Sequence, residues 1–92
     1  MKTTTAIVSD PVGFHLRAAG RIVKLTKKFA AEVFILYKGR SANAKSIMGL
    51  ASLAAEFGSR VEIQADGPDE ELALAQLEQL ISVELARPEP ES

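Results

Sequence analysis

The stretch Gly13-Phe14-His15-Leu16-Arg17 holds the only histidine of a 92-residue chain, with a glycine two residues before it and an arginine two after. A neutral imidazole nitrogen is a nucleophile near neutral pH, because the unperturbed ring titrates at about 6.5. It can attack phosphorus and form a labile phosphoramidate, which is a transferable phosphoryl group. Transfer needs an exposed nitrogen and cationic support for the phosphoryl oxygens. A helical pattern starts at Leu16, so His15 falls at a helix N-terminus, where unpaired backbone N–H groups favour an anion. The N–H groups of Leu16 and Arg17, with the Arg17 guanidinium, are the expected support. A second candidate is Ser46, whose hydroxyl can cap the helical pattern that follows it. Each has a bland reading when taken singly: His15 as a surface or cap residue, Arg17 as a solvated helix residue, Ser46 as a cap. No second acid or base stands at a spacing that suits general-base chemistry at His15, so a small self-contained enzyme is disfavoured.

Composition narrows the classes further. A hydrophobic fraction of 47% and a charged fraction of 25% suit one small globular domain. The absence of cysteine excludes disulfides, thiolate nucleophiles and cysteine metal sites. With a single histidine as well, neither a metal nor a cofactor is expected. The net charge of −1 argues against nucleic-acid binding by phosphate neutralisation. No apolar run approaches the roughly 18 residues that span a bilayer, so membrane insertion is not expected. Met1 to Thr5 is followed by no apolar signal segment, and the expected location is the cytoplasm.

These groups must be positioned by regular elements. Thr4 to Val8 is β-branched-rich and reads as a strand ending at Ser9-Asp10-Pro11. Gly13 supplies backbone freedom for the turn before His15. Ala19, Ile22, Val23 and Thr26 then share one helical face, with Phe29 closing the same core from beyond the helix end. Glu32 to Tyr37 reads as a strand apolar on both faces, followed by a Lys38-Gly39 turn and a short return strand from Arg40 to Asn43. A short helix follows Ser46, weakened locally by Gly49. Val61, Ile63 and Ala65 alternate with polar residues as a half-buried strand, and Asp66-Gly67-Pro68 is a turn. Asp69 is the expected N-cap of a last helix carrying Ala73, Leu74, Leu77, Leu80 and Ile81. Residues 1–85 read as one domain, and the Pro/Glu-rich segment 86–92 as a disordered tail. The order β-α-β-β-α-β-α predicts a two-layer sandwich with one sheet face covered by helices.

Gly13, Phe14, His15, Arg17 and Ala19 resemble the active-site motif of the histidine phosphocarrier proteins (HPr) of the bacterial sugar phosphotransferase system. Gly39 to Leu50 is similar to a second motif of that family, around a serine that opens a short helix. The two motifs are in register without a gap, and the similarity runs from about Thr3 to Leu85. The resemblance implies an α+β, open-faced two-layer sandwich, with a four-stranded antiparallel sheet and three helices on one face. It implies a monomeric phosphoryl carrier rather than an enzyme. His15 would accept phosphate on Nδ1 from enzyme I, charged by phosphoenolpyruvate, and donate it to enzyme IIA-type acceptors. Arg17 would support the phosphoryl oxygens. Ser46 would be the regulatory site of an ATP-dependent HPr kinase/phosphorylase, with a catabolite-control transcription factor as a further partner.

Phosphoserine at a helix N-terminus is tolerated by the helix dipole and adds about two negative charges. Those charges would repel an acidic partner that recognises Arg17, Arg21, Lys24 and Lys27. Ile47 and Met48 directly follow the cap and are expected to be exposed apolar contacts, whereas Leu50 has a strong reading as core. The chain departs from the family pattern at Leu16, where a small residue is usual, and at Ala18, often proline. Gly20 adds flexibility one turn on. These departures leave the chemical groups intact, and make a regulatory paralogue or a nitrogen-type phosphotransferase carrier the alternative reading.

Overall fold

The computed structural model describes residues 1–88. The alternation of strand-forming and helical segments produces β1 (Lys2–Ile7), α1 (Leu16–Thr26), β2 (Glu32–Tyr37), β3 (Arg40–Asn43), α2 (Ile47–Leu53), β4 (Arg60–Asp66) and α3 (Glu70–Ser82). A short 3-10 turn over Glu84–Ala86 follows. The strands form one sheet in the order β1-β4-β2-β3, antiparallel throughout. The register places Ile63 opposite both Thr4 and Ile35, and Ile35 opposite Ala42. Period-two alternation then sends Ala6, Val33, Ile35, Ala42, Val61, Ile63 and Ala65 to one buried face. The opposite face leaves Ile7 and Phe34 partly in solvent.

All three helices pack on the buried face. Ala18, Ala19, Ile22, Val23 and Thr26 of α1, Leu50 and Leu53 of α2, and Ala73, Leu74, Leu77, Leu80 and Ile81 of α3 join one core with the strands. Truncating a fully buried side chain such as Ile22 to alanine would cost about 2–5 kcal/mol. The fold is the open-faced α+β sandwich expected from the resemblance.

β1 starts earlier than the expected Thr4, because Lys2 and Thr3 pair with Ala65 and Gln64; Val8 lies beyond it, buried and bonded to the Ser59 carbonyl. Thr26, the one polar member of the helical face, is fully buried, and its hydroxyl donates to the Ala44 carbonyl at 2.7 Å. That bond ties the end of α1 to the segment leading into α2.

Asp69 occupies the N-cap position of α3 but makes no side-chain cap bond. Its carboxylate instead accepts from the amides of Ala30 and Ala31, both at 2.9 Å. The Ala30 amide first, then the Ala31 amide, holds this carboxyl below its ordinary value. At the C-terminal end, the Arg21 guanidinium donates to the Arg87 carbonyl at 2.6 Å. Residues 86–88, counted with the tail above, are thereby seated against α1, while residues 89–92 lie outside the described residues.

Candidate functional site

Two chain features bring His15 to the start of α1. The first is the tight turn before it. The Gly13 amide donates to the Asp10 carbonyl at 2.9 Å, and Gly13 sits at φ +86°, where an L side chain is strained. A Cβ at Gly13 would lie 2.4 Å from the Ala55 carbonyl oxygen, so glycine is required here for space as well as for conformation. The second is the close approach of the loop after α2, where the Phe14 amide donates to Ala55 at 2.8 Å and the Phe14 ring is buried. The loop that carries His15 is therefore locked to the end of α2.

His15 is itself the N-cap of α1, in extended conformation, and its Nδ1 accepts from the Arg17 amide at 3.2 Å. A backbone amide can only donate, so Nδ1 is the acceptor and carries a lone pair. The N–H groups at this helix start are expected to be unpaired; the Arg17 amide is instead engaged by the ring. On the other side of the ring, Nε2 lies 3.3 Å from Asp10 Oδ2. The His15 side chain is 27% exposed, enough for a partner to reach it.

A shallow groove of about 490 Å³ surrounds this ring, lined among others by Asp10, His15, Arg17, Arg21, Arg87 and Pro88. Three arginines thus line the groove together with one histidine, a cationic setting that suits a dianionic phosphoryl group. Arg17 is exposed at its edge; Arg21 is half-buried and spends one N–H on Arg87. Lys24 and Lys27 are exposed at the far end of α1, and Lys24 is an ordinary last-turn complement to the helix dipole.

Ser46 caps α2, its hydroxyl accepting from the Gly49 amide at 3.0 Å. Ile47 and Met48 are exposed, at 41% and 70%, while Leu50 is fully buried as core. Leu16 and Val12 add exposed apolar surface beside His15. Sequence reasoning did not single out Val12, Asp10 or Arg87. Asp10 had a readable signal: in Asp-Pro-Val-Gly, an aspartate precedes a free amide by two residues, the pattern of an Asx turn. Its Oδ1 indeed accepts from the Val12 amide at 2.8 Å. Among the described residues, no cluster of His, Cys, Asp or Glu could hold a metal ion, and no helix is long and apolar enough to cross a membrane.

The family model for the HPr component phosphorylation site of the phosphotransferase system matches residues 2–82. The chain belongs to the HPr family. It is 40% identical over 74 residues to the phosphocarrier protein HPr of Xylella fastidiosa, an alignment covering 80% of this chain and 83% of that protein. Among solved structures, an HPr from Thermoanaerobacter tengcongensis superposes with a TM-score of 0.88 at 34% identity, covering 97% of this chain and 100% of that one. The catabolite repression HPr of Bacillus subtilis, Crh, solved as a swapped dimer, matches at 35% identity with a TM-score of 0.74, covering 96% and 100%. HPr relatives with this fold are named phosphocarriers, carriers of a phosphoryl group rather than enzymes.

Proposed function

We propose that the chain accepts a phosphoryl group on His15 Nδ1 from enzyme I, charged by phosphoenolpyruvate, and passes it to enzyme IIA-type acceptors. The observation that carries this reading is the Arg17 amide donating to His15 Nδ1 at the N-cap of α1, inside a groove with Arg17 and Arg21. The nitrogen that accepts this amide holds the lone pair that attacks. Once it is bonded to phosphorus, that lone pair is spent, and the amide is released to a phosphoryl oxygen. The Arg17 guanidinium would contribute a second, charge-assisted contact.

Docking would combine Arg17, Arg21, Lys24 and Lys27 with the exposed apolar residues Ile47 and Met48. An HPr kinase would phosphorylate Ser46, placing about two negative charges at the start of α2 and weakening attraction for an acidic partner. Residues 1–85 would act as the functional domain, in the cytoplasm and as a monomer. The swapped Crh dimer supplies the contrary precedent on assembly, and sedimentation of the purified chain decides between the two states.

The test is incubation with enzyme I and labelled phosphoenolpyruvate. Acid-labile label on the native chain and none on His15→Ala supports the reading; label retained on His15→Ala removes it. A second reading is a regulatory paralogue, or a nitrogen-type carrier, acting by phosphorylation-dependent binding to a transcription factor. The likeness to Crh favours it, whereas the retention of His15 in a groove lined by arginines favours the carrier. Chasing the labelled chain with an enzyme IIA acceptor separates them.

A further inference from the structure

We propose that Asp10 is the positioning residue of His15: its carboxylate accepts a hydrogen bond from Nε2–H and so holds the ring tautomer whose Nδ1 carries the attacking lone pair. This rests on the carrier reading above.

The hydrogen-bond polarity around the ring allows one assignment. The Arg17 amide, a donor only, faces Nδ1 at 3.2 Å. The Asp10 carboxylate, an acceptor when ionised, faces Nε2 at 3.3 Å. Both contacts are satisfied together only when the proton sits on Nε2. Asp10 is also well fixed. It is 8% exposed, its Oδ1 accepts from the Val12 amide, and its own carbonyl accepts from Gly13. The same short turn that requires glycine at position 13 therefore aims Oδ2 at the ring.

The arrangement matches the charge that the reaction creates. The Nδ1 lone pair forms a bond to phosphorus, while the bond from phosphorus to the donor breaks and the donor keeps that electron pair. The Nε2 proton stays in place, so the imidazole ring gains one positive charge. The Asp10 carboxylate already faces it. When the phosphoryl group leaves for an acceptor, the electron pair returns to Nδ1 and the ring is neutral again. An aspartate that orients a histidine and balances its developing charge is a recurring solution in acyl-transfer triads. Here it would serve a nucleophilic ring rather than a general base.

The decisive variant is Asp10→Asn. The amide oxygen can keep the Val12 contact, which preserves the turn. Its NH2 group then faces Nε2 and can only donate, which favours the proton on Nδ1 and blocks the attacking nitrogen. A purely structural role for Asp10 predicts native behaviour in Asp10→Asn and damage only in Asp10→Ala. The positioning role predicts that Asp10→Asn keeps its thermal midpoint and far-UV spectrum but takes phosphate from enzyme I about tenfold more slowly.

The ring nitrogens are read directly by 15N NMR of the unphosphorylated chain at mildly alkaline pH. The native chain should show a proton-bearing Nε2 and an unprotonated Nδ1, and Asp10→Asn should lose that pattern. Native transfer rate and a native ring spectrum in Asp10→Asn would overturn the proposal. The ring spectrum needs no enzyme I. A native chain that took no phosphate at all would therefore remove the carrier reading while the spectrum still decided what Asp10 does.

Discussion

Replacing Gly13 by alanine tests how the His15 loop is held. The residue sits at φ +86°, and an alanine there costs about 1–2 kcal/mol in conformation alone. The added Cβ would also meet the Ala55 carbonyl oxygen at 2.4 Å and the Glu56 Cα at 3.2 Å, both backbone atoms that cannot rotate away. Relief requires the two loops to separate, which sacrifices the 2.8 Å Phe14–Ala55 hydrogen bond and disturbs the buried Phe14 ring. That adds about 1–3 kcal/mol. The expected loss is about 3 kcal/mol in urea unfolding, or roughly 12–24 °C in Tm for a domain of this size.

Two other glycines calibrate it. Gly39 has φ +77° with nothing within 4 Å of an added Cβ, so Gly39→Ala should lose only the conformational part, about 1 kcal/mol. Gly20 lies inside α1 with open space around it, and Gly20→Ala should gain about 0.5–1 kcal/mol. If Gly13→Ala and Gly39→Ala were equally destabilised, the close approach of the two loops would not be what requires glycine at position 13.

Other substitutions follow from single contacts. Ser46→Ala removes the cap of α2 and should cost about 1 kcal/mol in denaturant unfolding, whereas Ser46→Asp keeps an acceptor for the Gly49 amide and should unfold like the native chain. If Ser46→Asp nevertheless left enzyme I transfer unchanged, the electrostatic account of Ser46 phosphorylation would be wrong. Thr26→Val is close to isosteric but leaves the buried Ala44 carbonyl without its donor, for a loss of about 1–3 kcal/mol by urea titration. Asp69 is held below its ordinary value by the Ala30 and Ala31 amides, so its contribution is present above about pH 4 and is lost as pH falls through the depressed value. The Tm of Asp69→Asn should therefore fall below native at neutral pH, and the two should converge in acid. A gap that did not narrow as the pH was lowered would refute that sign.

The element order was legible where a segment is periodic, as in the strict alternation of β4 and the face of Ala19, Ile22, Val23 and Thr26 in α1, and where turn and cap residues punctuate the rest. His15, Arg17 and Ser46 were legible because a helix start announces itself in local residue types. What escaped reading depends on contacts across the chain. Asp69 looks like an N-cap by local pattern, yet its carboxylate serves amides 39 and 38 residues earlier. Asp10, before a proline, reads as the end of a strand; only the folded turn brings its second oxygen to the ring five residues on. Arg21 reads as a cation that an acidic partner recognises, and only the folded C-terminal turn shows that it grips the Arg87 carbonyl. Local chemistry is visible in one dimension, but the partner that directs it is chosen by the packing.

The central claim is that His15 Nδ1 carries the phosphoryl group. The most direct measurement is 31P–15N coupling in the ring-labelled chain after incubation with enzyme I and phosphoenolpyruvate. The expected result is a phosphorus resonance coupled to Nδ1 that disappears on chase with an enzyme IIA acceptor. Phosphorus coupled to Nε2, or phosphate found on a residue other than His15, would contradict it.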